Sequence, residues 1–293
     1  MAESAGWEEL PAGIREAVER ETGEVITAEA AGGGNGPALA LVVRTKRNGP
    51  LFLKGVREQD VAGASRLELE ERVNKSVAGV GPMVRHRFRA AGWYFLAFIR
   101  VEGRPAELGP DSPDLAAIAF TLRRMDELRL PDAPVPLLAE RFAGHIEPGE
   151  AEALAGTHLL HTGMDPDHIL IARYGGQAYV VDWSRAALGP AWIDPARTAV
   201  RMMEAGRPPA DALGWLAGFA SWQAAGPAAV KAFVNAMCRY GTATAGEQGA
   251  AAANARFRTL LDAVPPGRPG SGRLGRSRRG PGGSADSGRL TRG

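Results

Sequence analysis

Cysteine is almost absent: Cys238 is the only one in 293 residues. No intrachain disulfide can form, and a reducing, cytoplasmic setting is the simplest expectation. A chain of this length, 45% hydrophobic, can bury a core large enough to do without such a staple. An apolar signal-like segment is missing too, because residues 1–21 are acidic. The longest uncharged run, residues 212–230, is nominally long enough to span a bilayer. It contains Ser221, Gln223 and Pro227, and Leu213, Leu216 and Ala220 recur at helical spacing, so buried helices are expected and no membrane partner. Positive charge on the body is also scarce. Net charge is +2, but residues 267–293 hold seven arginines against one aspartate, which leaves the rest net negative. That speaks against nucleic acid as a partner of the folded body.

What is present alternates in type along the chain. Pro11 to Thr22 reads as a helix ended by Gly23, with Ile14 and Val18 on one face. Strands are expected over 24–31, 38–45 and 51–56, with a glycine run at 32–36 and a hairpin signal at Asn48-Gly49. Leu69, Val73, Val77 and Val80 predict a helix over 63–80, stopped by Pro82. Two strands, 84–88 and 93–101, follow, and Gly103 is expected to open a loop between two lobes. The second half reads as mainly helical: 114–128, weaker segments at 137–142 and 150–155, then 194–206, 208–224, 227–240 and 246–263. Short apolar pieces at 158–160, 169–172 and 178–182 interrupt it. Beyond residue 265, glycine, proline, serine and arginine predict a disordered basic tail.

Lysine is rare, four against 31 arginines, and Lys54 stands inside the apolar stretch Phe52-Leu53-Lys54-Gly55. Burying an ammonium without a partner is costly. Glu70 on the following helix is the preferred partner and Glu71 the register alternative; an edge lysine reaching to water is the plain structural reading. The glycine run, with Gly34 and Gly36, can cover phosphates with backbone N–H groups. It is no Walker A loop, because no Gly-Lys-Ser/Thr follows.

The richest segment runs Leu160-His161-Thr162-Gly163-Met164-Asp165-Pro166-Asp167-His168-Ile169-Leu170-Ile171, and Val180-Val181-Asp182-Trp183 follows it. Its spacing resembles the catalytic segment of the aminoglycoside phosphotransferase and choline kinase-like small-molecule kinases, most nearly an actinobacterial-type subgroup. Trp192-Ile193-Asp194-Pro195 resembles that family's loop-buttressing Asp, and Gly92-Trp93, Leu96-Ala97-Phe98 and Val101-Glu102-Gly103-Arg104 resemble its adenine-holding strand and linker. The resemblance covers about residues 7–262. It implies an α+β, protein-kinase-like bilobal fold: a small antiparallel-sheet lobe over residues 1–102, a larger helical lobe over 103–264, and the tail at 265–293.

It further implies ATP and Mg²⁺ as cofactors and phosphoryl transfer to a hydroxyl of a small-molecule substrate. Lys54, Glu70, Gly34, Gly36, Phe98 and Arg100 would bind the nucleotide, and Asp182 the metal. The segment departs from the family at two positions. Gly163 stands where the resemblance places the catalytic Asp, and His168 where it places the metal-binding Asn. Asp165 is then the candidate stand-in base beside His161, with Asp167 the alternative, and His168 a poor substitute metal ligand. A catalytically inactive nucleotide- or ligand-binding pseudokinase is the alternative. A zinc site from His158, His161, Asp165 and His168 is a lesser one, for no strong zinc spacing is present.

Overall fold

A computed structural model describes residues 6–31 and 39–264. Gly34, Gly36 and the basic tail lie outside the described residues. The first helix, α1 (Ala12–Thr22), precedes three strands, β1 (Val25–Ala30), β2 (Leu39–Thr45) and β3 (Gly49–Arg57). Next come α2 (Val61–Val73), β4 (Val84–Ala90) and β5 (Trp93–Ile99). The five strands form one antiparallel sheet in the order β1-β2-β3-β5-β4.

Strand alternation divides that sheet into two faces. Leu39, Leu41, Val43, Leu51, Leu53, Phe95 and Ala97 pack with Ile14 and Val18 of α1. Val56, Leu96 and Phe98 point the other way and pack with Leu67 of α2. Lys54 lies between Phe52 and Val56 in this alternation, so it emerges on the α2 face. Gly55 is its neighbour for a steric reason: a Cβ there would lie 2.5 Å from the Phe95 ring.

The chain then adds β6 (Gly103–Pro105), α3 (Leu115–Met125), α4 (Leu138–Arg141), α5 (Glu150–Ala153) and β7 (His158–Leu160). After β8 (Ile169–Ala172), β9 (Ala178–Val180) and β10 (Ala187–Gly189) come α6 (Ile193–Glu204), α7 (Pro209–Leu216), α8 (Ala220–Gln223) and α9 (Pro227–Thr259). β6, β8 and β9 make one small antiparallel sheet, and β7 pairs with β10. One large core joins α2, α3, the small strands and α6 to α9, with Trp183, Trp222, Phe219 and Phe233 fully buried in it. The fold is thus α+β and kinase-like, a small sheet lobe beside a larger helical one. Among the described residues no helix is long and apolar enough to cross a membrane.

Several boundaries differ from the sequence reading. The helix expected over 63–80 stops at Val73, although Val77 and Val80 remain fully buried. Asn74 ends it: its amide donates to Pro82 O at 2.9 Å and its carbonyl oxygen accepts from Val84 N at 2.8 Å. Those bonds tie the helix end to the start of β4, while apolar burial continues through turns. Gly103 opens a strand rather than a loop, since residues 103–105 pair with Leu170 to Ala172. The helix expected over 208–224 is two short ones, broken near Gly218. α9 changes direction at Gly246, whose φ of 73° is left-handed and suits a residue without Cβ. β10 escaped notice because Ala187-Leu188-Gly189 is too short to show alternation.

Gly55→Ala should destabilise the protein by about 1–3 kcal/mol through overpacking against Phe95, measured by urea unfolding. An unchanged midpoint would show that the ring moves aside freely.

Candidate active site

Strand parity and helix phase bring the first charges together. The Lys54 ammonium lies 3.0 Å from Glu70 Oε1, 2.8 Å from Glu70 Oε2 and 2.9 Å from Asp182 Oδ1. Glu70 is 3% exposed, so the ammonium answers a carboxylate that has almost no water. Glu71, the register alternative, faces elsewhere and bonds Arg87 and Tyr94. Burial opposes the charge on Lys54, but the two carboxylates outweigh it and hold its pKa above the ordinary lysine value. Burial likewise opposes ionisation of Asp182, and Lys54, with Ser184 and His168, more than offsets this, holding the acid well below the usual carboxylate range. Phe98 is buried on the same face, its ring centroid 5.8 Å from Lys54 Nζ. Arg100 is exposed just past β5, its backbone N–H donating to Pro50 O at 3.3 Å.

The loop between β7 and β8 is held largely through its backbone. Asp194, at the start of α6, accepts from His161 N at 2.7 Å and Thr162 N at 2.9 Å. Burial pushes the Asp194 carboxyl up to about 6, against the pull of those two donors. His161 lies 2.9 Å by Nε2 from both Val181 O and Asp182 O. Two carbonyls require Nε2 to be the donor, so Nδ1 accepts from Gly163 N at 3.2 Å and Met164 N at 3.3 Å. The imidazole thus pins its own loop to the segment carrying Asp182. Burial, with His168 nearby, lowers its pKa to about 4. Among the described residues four non-glycines have positive φ, and three of them are Thr162, Met164 and Asp182. Left-handed backbone concentrated in this way is characteristic of functional sites.

His168 and Gly163 occupy one space between them. A Cβ at Gly163 would lie 2.7 Å from His161 Cε1 and 3.2 Å from His168 Nδ1. The two rings meet edge to face at 5.7 Å. His168 Nε2 is 3.6 Å from Asp182 Oδ2 and its Nδ1 is 3.7 Å from Asp165 Oδ2. Asp165 forms an ion pair with Arg201 of α6, and Asp167 is exposed. Arg201 was not singled out in the sequence. Its spacing of seven residues from Asp194, with Arg197 between, puts all three on one helix face and is the signal that was available.

Magnesium, which the resemblance implies, finds a poor set of donors. Asp182 gives Oδ1 to Lys54, and His168 offers nitrogen to an ion that prefers oxygen. Among the described residues no group of three or more His, Cys, Asp or Glu side chains stands close enough to hold a metal ion, which also disposes of the zinc reading. The residues present do not fit the ion.

No protein-family model matches the sequence, and no curated protein does. Solved structures do. Macrolide 2'-phosphotransferase MphH from Brachybacterium faecium, an apoenzyme, has 15% identity and a TM-score of 0.51, over 87% of this chain and 99% of that one. A choline/ethanolamine kinase family protein from Mesorhizobium loti has 16% identity and a TM-score of 0.50, over 86% and 97%. The GDP and kanamycin complex of APH(2")-IIia has 16% identity and a TM-score of 0.50, over 84% and 95%. At such identities the likeness shows the fold: this chain has the bilobal fold of the aminoglycoside phosphotransferase and choline kinase-like proteins.

Histidine-detected NMR should find His161 as the Nε2–H tautomer, neutral until the pH approaches about 4. Its folded value lies below the unfolded value of about 6.5, so the stability it contributes is complete above that pH and lost as pH falls through about 4. A titration near 6.5 would rule out the buried, doubly bonded ring.

Proposed function

We propose that this chain is a nucleotide-binding protein on the small-molecule-kinase fold in which phosphoryl transfer to a small hydroxylated molecule is lost or strongly weakened. The observation that carries the reading is an intact Lys54–Glu70–Asp182 cluster beside a loop with no carboxylate at Gly163. The cluster aims a partly accessible ammonium from the sheet lobe toward the helical lobe, where it can take a phosphate; its side chain is 19% exposed. Phe98 and Arg100, with the glycine run at 32–36, complete the nucleotide side in this reading. Residues 1–102 and 103–264 serve as the two units between which the ligand binds, in a cytoplasmic protein. The neighbour solved with GDP supports testing guanine as well as adenine nucleotides.

Phosphoryl transfer works mainly by positioning and charge stabilisation, with a carboxylate orienting the attacking hydroxyl. Glycine supplies none. Losing a general base costs about 10² to 10⁴ in rate. A second reading keeps weak transfer, with Asp165 as the base. Its side chain is 39% exposed and lies close to His168, which favours that role; its ion pair with Arg201 opposes it.

Thermal shift with ATP or GTP should stabilise the wild type, by about 2.7 kcal/mol at a hundredfold excess over Kd. Lys54→Gln should lose most of that effect while staying folded by circular dichroism. Equal stabilisation of both proteins would remove Lys54 from the site.

Turnover of ATP by wild type should be near background. Gly163→Asp alone should not restore it, because the new Cβ crowds His161 and His168. Gly163→Asp with His168→Asn should be better tolerated than the single change. Wild-type turnover that Asp165→Asn abolishes would establish the second reading instead.

A further inference from the structure

Asp182 is approached from two sides by nitrogen donors. Its Oδ1 accepts from Lys54 at 2.9 Å, and its Oδ2 lies 3.6 Å from His168 Nε2. Backbone pairing builds the second approach. Ile169 stands opposite Val180 in the β8–β9 pair, and Val181 N donates to His168 O at 2.9 Å. The Nδ1 edge of the His168 ring is turned to the loop, where a Cβ at Gly163 would lie 3.2 Å from that atom. Nδ1 is buried and bonds to nothing. An N–H at that atom would go unmet, so the ring proton belongs on Nε2, facing Asp182.

The Lys54 ammonium is fully committed. It has three N–H donors, and three carboxylate oxygens stand 2.8 to 3.0 Å from it. A phosphate oxygen gains a donor there only by displacing one of them. Glu70 is buried and cannot be left without its cation. Asp182 is partly exposed, and a shift of about half an ångström brings its Oδ2 within hydrogen-bond length of His168 Nε2. Asp182 is therefore the group that yields, and His168 stands ready to receive it. Magnesium requires a near-octahedral set of oxygens. The one carboxylate it would find here already faces an ammonium and an imidazole N–H.

We infer that the cleft takes its nucleotide free of magnesium, with His168 serving as the partner of Asp182 in place of a metal ion. This deepens the proposed function, and rests on it, by giving the form of the ligand: a nucleotide whose phosphates meet N–H donors directly. Asp182 then competes with the phosphates for Lys54 and does not bridge to them. His168 is a positioning residue, which holds the Asp182 carboxylate off the ligand. The two roles of Asp182 differ in sign. Removing its charge would break a metal bridge, but it frees a donor where the acid is a competitor.

The test measures ATP and ADP binding to the full chain by calorimetry and thermal shift, in EDTA and in excess magnesium chloride, at one pH and ionic strength. Wild type should bind at least one of them in EDTA, and magnesium should tighten that binding by less than about tenfold. Asp182→Asn should bind in EDTA at least as tightly as wild type, because the Lys54 donor is released. His168→Asn should bind more weakly in EDTA than wild type and gain more from magnesium than wild type does. Tightening of the wild type by about tenfold or more on adding magnesium would overturn the inference. So would loss of EDTA binding in Asp182→Asn that is folded by circular dichroism, or a magnesium response in His168→Asn equal to that of wild type. If Asp182→Asn does not fold, the wild type and His168→Asn decide the matter. Binding of neither nucleotide under either condition would sink the proposed function itself. Binding only with magnesium would leave that function standing and refute the metal-free form alone.

Discussion

The Lys54 ammonium joins three parts of the chain that are distant in sequence: a central strand, the helix after it, and the turn that follows β9. Glu70 cannot stay charged where it is without that ammonium, because its carboxylate has almost no water. Asp182 then binds the same ammonium from the helical lobe, so one lysine ties the two lobes together across the cleft. The sheet prepares this by parity. Lys54 must face α2 if Leu53 faces α1, and Gly55 must lack a side chain if the Phe95 ring is to cross there.

On the other side of the cleft, geometry is held by backbone and not by the side chains that would do chemistry. Asp194 grips two N–H groups, and His161 grips two carbonyls and two further N–H groups. Both sets engage backbone groups of the loop and of the segment carrying Asp182, and the His161 ring additionally needs the space that Gly163 leaves open. Within that loop Gly163 and His168 stand where the resemblance places an Asp and an Asn. The glycine makes room and the histidine ring sits against it.

Much of the fold was legible from periodicity. β2, β3 and β5 show alternation or continuous burial, and α3 and α6 carry apolar faces that match their packing. Errors fell where a single polar residue outweighed a pattern. Asn74 cut α2 short although Val77 and Val80 prolong its apolar rhythm, and a three-residue pairing turned Gly103 from loop to strand. Local sequence cannot weigh such bonds, because the partners, Pro82, Val84 and Ala172, matter only once the chain has turned back.

By itself the sequence determined the order of elements, the isolated lysine in an apolar strand, and the missing side chain at Gly163. Those follow from residue identity and spacing, which need no partner to be read. Tertiary structure decided between Glu70 and Glu71 and bound Asp165 to Arg201. Those depend on helix phase and on charges brought together from four segments. Electrostatic energy depends on distance through space, which spacing along the chain does not encode.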